Sequence, residues 1–208
     1  MDWAKSLMPF NNMCAERMRQ APHQIRIRQF QIKVFSGFTL VELMVSLAIV
    51  AVMMGLAVPS YRYAINSSRI SSDSDNLLIA LQLARTEAIR RGLSVSVCSS
   101  NANGSACSGS NNWKTGWLVF VDVNNNASYD GGDALVRQQP ALASANAVSA
   151  DNNTSAVRFN REGIASGLAA DPVTVTFTPP TNSSTQKRCL AISAAGRMLI
   201  QRPGTGAC

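Results

Sequence analysis

Residues 38–58, FTLVELMVSLAIVAVMMGLAV, carry a single charge, Glu42, and otherwise no strongly polar side chain beyond Thr39 and Ser46. As a helix this run is about 30 Å long, which is the thickness of a bilayer's hydrocarbon layer. A core helix of that length in a water-soluble domain would show a polar face, and this one has none. The run therefore predicts a membrane-spanning helix, and the carboxylate inside it needs an explanation. A charge well inside a span costs roughly 2.5–3.5 kcal/mol on insertion scales, less near the interface, so Glu42 implies a partner.

Charge follows the same boundary. Six of the 19 basic residues and two of the 12 acidic ones lie in residues 1–37, so +4 of the net +7 sits there. Arg26, Arg28 and Lys33 precede the apolar run, the arrangement that retains an N-terminal side in the cytoplasm. The excess charge thus argues first for topology and only second for nucleic acid. An ordinary secretory signal has a shorter apolar region that ends in a small-residue cleavage site. Here the expected processing site comes before the apolar run.

Those features carry a family resemblance. The segment SGFTLVEL, with Gly37, Phe38, Glu42, the apolar run and Pro59, resembles the type IV prepilin signal. The resemblance implies cleavage between Gly37 and Phe38 by a prepilin peptidase, then N-methylation of Phe38. It also implies that Glu42 pairs with the N-terminal amine of a neighbouring subunit, which neutralises the charge and sets register in a filament. Residues 1–37 are then a removable leader, so Cys14 and His23 support no site. The leader is longer than is usual, and Met13 and Met18 are alternative starts.

Beyond the span, Pro59 is expected to kink or loosen the helix. From residue 60 to 91, Ile70, Leu77, Leu81, Ala84 and Ala88 recur mostly at three- and four-residue steps. Arg85, Glu87, Arg90 and Arg91 fall largely off that stripe, so residues 59–92 predict an amphipathic continuation closed by Gly92. The pattern then changes to short β-like runs at 94–99, 116–123, 134–138, 156–160, 173–178, 189–193 and 197–201, separated by Gly, Asn, Ser or Pro clusters. Residues 139–155, rich in Ala, Ser and Asn, read as a loop. The predicted class is α+β, with a long N-terminal helix on an antiparallel β head at 93–208.

Cys98, Cys107, Cys189 and Cys208 remain after removal of the leader. Their even number and the topology place them in an oxidising compartment. Three connectivities are possible, and proximity in sequence favours Cys98–Cys107 with Cys189–Cys208. A zinc site is disfavoured by the absence of both a CxxC pair and a mature-chain histidine. The sequence DVNNNASYDGGD places Asp122, Asn124, Asn126, Ser128, Asp130 and Asp133 at the spacing of a calcium loop. Ala127 and Asp133 depart from that pattern at the required Gly and Glu positions, and strands rather than helices flank it, so a polar hairpin loop is the plainer reading.

Further segments narrow the resemblance. LLIALQLARTEAIRRG, WKTGWLVFVDVNNNASYDGGDALVR and CLAISAAGRMLI are similar to the GspH/FimT family, which includes H-type pseudopilins of type II secretion systems and FimT- or FimU-like minor pilins of type IV pili. The implied fold is a type IV pilin-like helix packed on a two-sheet head, and the implied partners are other pilins or pseudopilins, the peptidase and the inner membrane. The segment between Cys189 and Cys208 favours the minor-pilin branch, with the H-type pseudopilin as the alternative. Some FimT-like members are linked to DNA uptake. The candidate phosphate contacts are Lys187, Arg188, Arg197 and Arg202, with no acidic residue after Asp171. Leu199 stands where DNA-linked members tend to carry a second Arg. The bland reading of these cations is a solvated edge that discourages strand pairing.

Catalysis and cofactors are not expected. There is no GxSxG elbow, no GxxxxGKS phosphate loop and no histidine after the leader. A conventional uncleaved anchor carrying an adhesin or receptor is the outside alternative, distinguished by an unprocessed N-terminus.

Overall fold

The structure is a computed structural model that describes residues 37–206 and residue 208. The expectations for residues 1–36, including Cys14, His23 and the basic flank, lie outside the described residues. Two compact units are present, one ending at Ser46 and the other running from Leu47 to Cys208.

In the first unit, the chain enters helix α1 (Leu40–Arg91) through Thr39. The Leu43 N–H donates to the Thr39 carbonyl (3.1 Å), and the Glu42 N–H donates to Thr39 Oγ1 (3.2 Å). Thr39 therefore caps the helix and satisfies donors that have no partner within the first turn.

The second unit contains the rest of α1 and the head. Helix α1 is continuous across Pro59, so the expected loosening does not end the helix. A proline deletes one N–H and displaces one carbonyl, and the hydrogen bonds on both sides outlast that loss. The predicted stripe is the face that packs: Ile70, Leu77, Leu81, Ala84 and Ala88 are fully buried, and Ala80 joins them. Burial of each large aliphatic among them contributes roughly 2 kcal/mol. Gly92 stops the helix with φ +68°, its N–H donating to the Ala88 carbonyl at 2.9 Å.

Nine strands follow: β1 (Val95–Ser99), β2 (Trp117–Val121), β3 (Ala134–Gln139), β4 (Ala147–Ala150), β5 (Ala156–Phe159), β6 (Ala165–Ser166), β7 (Val173–Thr178), β8 (Arg188–Ile192) and β9 (Met198–Gln201). They form two antiparallel sheets ordered β3-β2-β1-β5-β6 and β4-β7-β8-β9. Val95, Val97, Val119, Val121, Val157 and Phe159 of the first sheet share one core with Val173, Val175, Phe177, Leu190 and Ile192 of the second and with the helix stripe.

Strand β2 is buried on both faces. Trp117, Val119 and Val121 join the main core, while Leu118 and Phe120 join Cys98 beneath Cys107 and Tyr129. The residues after β2 thus fold back over the outer face of the first sheet, with the Phe120 and Tyr129 rings 5.4 Å apart.

Two elements depart from the expected pattern. Strand β4 lies inside the stretch read as a loop, and β6 was not anticipated. β4 is Ala-Val-Ser-Ala, weak in intrinsic strand preference; pairing with β7 and burial of Val148 and Ala150 make it a strand.

Candidate functional site

The apolar half of α1 presents one surface to its surroundings on all sides. From Phe38 to Ala64, every described side chain is exposed, and the helix contains a window of mean hydropathy 2.4. Glu42 stands in the first turn, where the positive end of the helix dipole favours a carboxylate. Thr39 and Glu42 have the spacing of a capping box, so the segment TLVE also carries a local role for Glu42 within its own helix.

The four C-terminal cations do not form one patch. Gln186 Nε2 donates to the Tyr63 carbonyl at 2.8 Å, and Tyr63 Oη lies 3.4 Å from Thr185 Oγ1, so Lys187 and Arg188 begin next to the helix just past the apolar run. Arg202 follows β9, whose Gln201 pairs with Cys189, and belongs to the same end. Arg197 is carried away to the turn between β8 and β9. There Arg85 Nη1 donates to the Gly196 carbonyl at 2.8 Å and Nη2 reaches the Ala195 carbonyl at 3.5 Å. Tyr63 and Arg85 are 22 positions apart in α1, about 33 Å along the axis. The expectation of a single C-terminal basic patch is corrected accordingly.

Arg85 was missed as a site residue. In sequence it is one more cation off the apolar stripe; in the structure it ties α1 to the turn that presents Arg197. Gly163 and Gly196 make room for it, since a Cβ on Gly196 would lie 2.4 Å from the Gly163 carbonyl oxygen and 3.0 Å from Arg85 Cζ. Nearby, Glu87 accepts from Arg90 (2.7 Å) and Arg91 (2.5 Å), and these bonds hold its carboxyl down at about 2. An open cleft lined by Gln82, Arg85, Thr86 and Arg197 lies beside this turn.

In the calcium-like loop the carboxylates serve the loop's own donors. Buried Asp122 accepts from Ser96 Oγ (2.7 Å), the Asn126 N–H (3.0 Å) and the Ala127 N–H (2.9 Å). Asp130 accepts from Asn124 Nδ2 and Asn126 Nδ2, both at 2.9 Å, and from the Gly132 N–H, which lowers its carboxyl below the ordinary range. Asp133 accepts from the Val123 N–H (3.0 Å) and the Asp130 N–H (3.1 Å). Ser128 contributes its N–H to Asn126 Oδ1 at 2.7 Å. Among the described residues no group of three His, Cys, Asp or Glu side chains is placed to hold a metal ion.

Cys98 is bonded to Cys107 and Cys189 to Cys208, each pair with Cα atoms 5.6 Å apart. The first bond pins the loop after β1 under Tyr129, whose N–H donates to Cys107 Sγ at 3.2 Å. The second ties the C-terminus to β8.

Comparison with known proteins follows the same division of the chain. The family described as Prokaryotic N-terminal methylation motif matches residues 32–58, and the family described as Type II transport protein GspH matches residues 73–196. Pilin-like protein PilA1 of Thermus thermophilus is 30% identical over 174 residues, covering 79% of this chain and 97% of that protein. The type IV minor pilin FimU of Pseudomonas aeruginosa has a similar fold, with TM-score 0.52 at 20% identity over 66% of this chain and 92% of FimU. The minor pseudopilin EpsH of the Vibrio cholerae type II secretion system aligns with TM-score 0.46 at 12% identity, over 65% and 98% of the two chains. With a methylation motif at the start of its helix and the GspH match across more than half its length, the chain belongs to the GspH family of pilins and pseudopilins.

Proposed function

We propose that this chain is a FimT/FimU-like minor pilin, incorporated at or near the tip of a type IV pilus, where it assists assembly. The observation that carries the reading is the two-part helix: a half exposed on every side and almost purely apolar, continuous with a half sealed into a closed head. Such a helix suits a lipid environment before assembly and a bundle of like helices after it. In this reading the peptidase cuts between Gly37 and Phe38, Phe38 is methylated, and Glu42 pairs with a neighbour's amine as the subunit leaves the inner membrane. The head then stands in an oxidising periplasm, in keeping with its two disulfides.

Capture of DNA is a further component of the proposal, now centred on Arg197. Its turn is held out by Arg85 at the head's far end, whereas Lys187, Arg188 and Arg202 belong to the opposite end. Phosphate contacts there would weaken steeply with salt.

The test is a deletion of the gene complemented with the full chain, scoring surface pili and exoprotein secretion side by side, with mass analysis of the N-terminus. Loss of pili with secretion intact, and a methylated Phe38, is the expected result. Loss of secretion with pili intact moves the chain to the H-type pseudopilin role. An unprocessed N-terminus refutes both and leaves the uncleaved-anchor alternative.

A further inference from the structure

At the end of the head nearest the apolar run the loops carry cations without Asp or Glu, whereas at the far end Arg85, Arg90, Arg91, Arg161 and Arg197 are mixed with Glu87, Glu162 and Asp171. At the end nearest the apolar run, Gln186 and Thr185 meet Tyr63, Asn146 Nδ2 donates to Asn182 Oδ1 (2.9 Å), and Lys114 Nζ donates to the Asn146 carbonyl (3.0 Å). The loops gathered there, residues 100–116, 140–146, 179–187 and 202–208, contain no Asp or Glu. They carry Lys114, Lys187 and Arg202, while Arg188 opens β8 and Arg62 lies on the adjoining turn of α1. Asp73 of α1 reaches those loops through its hydrogen bond with Ser144 and is buried, whereas Asp75, two residues further along the helix, is exposed.

The other acidic residues of the head lie elsewhere. Asp122 meets Ser94 next to the end of α1, Asp130 and Asp133 belong to the same loop, Glu162 precedes Gly163, and Asp171 accepts from the Ala194 N–H at 3.0 Å beside the Arg197 turn. Asp151 lies between the two ends, after β4.

Position relative to the apolar run gives this difference its meaning. Val58 is five residues before Tyr63, so the cationic end begins within about 8 Å of the end of the span. Tyr61 and Tyr63 are 68% and 53% exposed, the amphipathic side chains that settle at headgroup depth. Arg62 and Arg202 are exposed, and Lys187 and Arg188 are half-buried.

We infer that the span-proximal end of the head, through Tyr61, Arg62, Lys187, Arg188 and Arg202, is a docking surface for anionic phospholipid headgroups. The inference rests on reading residues 38–58 as a membrane anchor. Before assembly the headgroups hold the head against the bilayer surface, and extraction into a filament breaks those contacts. The same cations are thereby assigned to lipid phosphate rather than to DNA.

The test is hydrogen exchange on the full chain in phosphatidylcholine vesicles, with and without phosphatidylglycerol. In the anionic vesicles, exchange in residues 181–188 and 202–206 slows on the order of tenfold, and high salt reverses it. The variant Lys187→Gln/Arg188→Gln/Arg202→Gln loses the slowing while β7 stays protected. Arg62→Gln, at an exposed helical position, reduces the slowing as a second, independent variant. Equal exchange in both lipids, with residues 38–58 protected in both, overturns the docking surface and leaves the anchor intact. Unprotected residues 38–58 overturn the anchor and the docking surface together. Slowing by duplex DNA in phosphatidylcholine vesicles, with none from phosphatidylglycerol, overturns the lipid assignment in favour of nucleic acid.

Discussion

Substituting Gly196 tests whether the Arg85 contact is a structural tie or an incidental surface bond. Gly196 has φ +75°, a region in which any Cβ costs about 1–2 kcal/mol. Its Cβ would also lie 2.4 Å from the Gly163 carbonyl oxygen and 3.0 Å from Arg85 Cζ, so the turn must move away from both. That movement breaks the 2.8 Å bond from Arg85 to the Gly196 carbonyl. A hydrogen bond from a charged donor contributes about 1.5–3 kcal/mol. Gly196→Ala is therefore expected to destabilise by about 4 kcal/mol. Gly92→Ala is the control, with φ +68° and no atom within 4 Å of the new Cβ, and is expected to cost only about 1.5 kcal/mol. For a unit of this size those figures translate to Tm decreases of about 12 °C and about 4 °C. Thermal unfolding of the full chain in detergent, followed by the near-ultraviolet signal of buried Trp113 and Trp117, makes the comparison. Equal decreases would refute the reasoning, because they would mean that contacts at Gly196 add nothing to its backbone conformation. Arg85→Ala combined with Gly196→Ala must also be less than additive.

Burial pushes the Asp73 carboxyl above its ordinary value of 3.8, offset in part by a hydrogen bond from Ser144, and Asp73 Oδ2 has no partner. The native state then holds this proton more tightly than the unfolded chain, so stability falls as pH rises from 3.8 through the raised value and is level beyond it. Asp73→Asn is expected to raise Tm at neutral pH and to lose that advantage below pH 3.8; an advantage independent of pH would contradict this. Asp122→Ala removes the acceptor of Ser96 and of two loop N–H groups, costing about 3 kcal/mol in denaturant unfolding. A calcium-induced rise in wild-type Tm would instead indicate that the loop carboxylates bind metal. Cys208→Ser opens a cross-link between residues 19 apart in sequence and lowers stability by about 3 kcal/mol, an effect that reducing the wild type should reproduce in part. Glu42→Gln keeps a side chain able to complete the Thr39 cap, whereas Glu42→Ala does not. If the charge pairs with a neighbour's amine, both variants insert into the membrane and both fail to enter filaments; normal incorporation of the Gln variant would leave capping as its role.

The parts of this fold that were legible in sequence are those governed by local periodicity. Ile70, Leu77, Leu81, Ala84 and Ala88 mark the packed face of α1 because a helix brings every third or fourth residue to one side, and all five are fully buried. Seven of the strands stand near their expected positions because Gly, Asn, Ser and Pro clusters delimit them. β4 was hidden because Ala, Ser and Ala say little about pairing, and only β7 makes them a strand. The candidate surface was legible as a set of cations but not as a place. Arg188 and Arg197 are close in sequence, yet an extended chain advances about 3.3 Å per residue and carries them to opposite ends of the hairpin. Arg85 was opaque for the converse reason: its partners are carbonyls more than a hundred residues away, and a carbonyl has no letter in the sequence. The calcium-like loop is ambiguous in composition, since Asp and Asn that accept from turn N–H groups have the same spacing as ligands, and the polar hairpin loop was already the plainer reading.

The division of burial along α1 bears directly on the proposed route from membrane to filament. Among the described side chains of the helix the first fully buried one is Ile70, and those from Phe38 to Ala64 are all exposed. The described side chains of the apolar half add nothing to the head core, so that half can exchange lipid for neighbouring helices without opening it. The free-energy change of extraction is then set by three local terms: lipid against helix packing along residues 38–58, the environment of Glu42, and the attachment of the head's cationic end to the bilayer surface. Lipid and helix surfaces are nearly equal in apolar character, so the first term is a matter of packing rather than of hydrophobic burial. The decisive contributions fall to the two charged terms, one at each end of the span. On the proposed route Glu42 gains a partner on assembly, while Arg62, Lys187, Arg188 and Arg202 lose the headgroup contacts proposed for them. If both proposals hold, the subunit is retained in an anionic membrane until neighbouring subunits offer Glu42 its amine, which makes subunit encounter rather than head unfolding the controlling step.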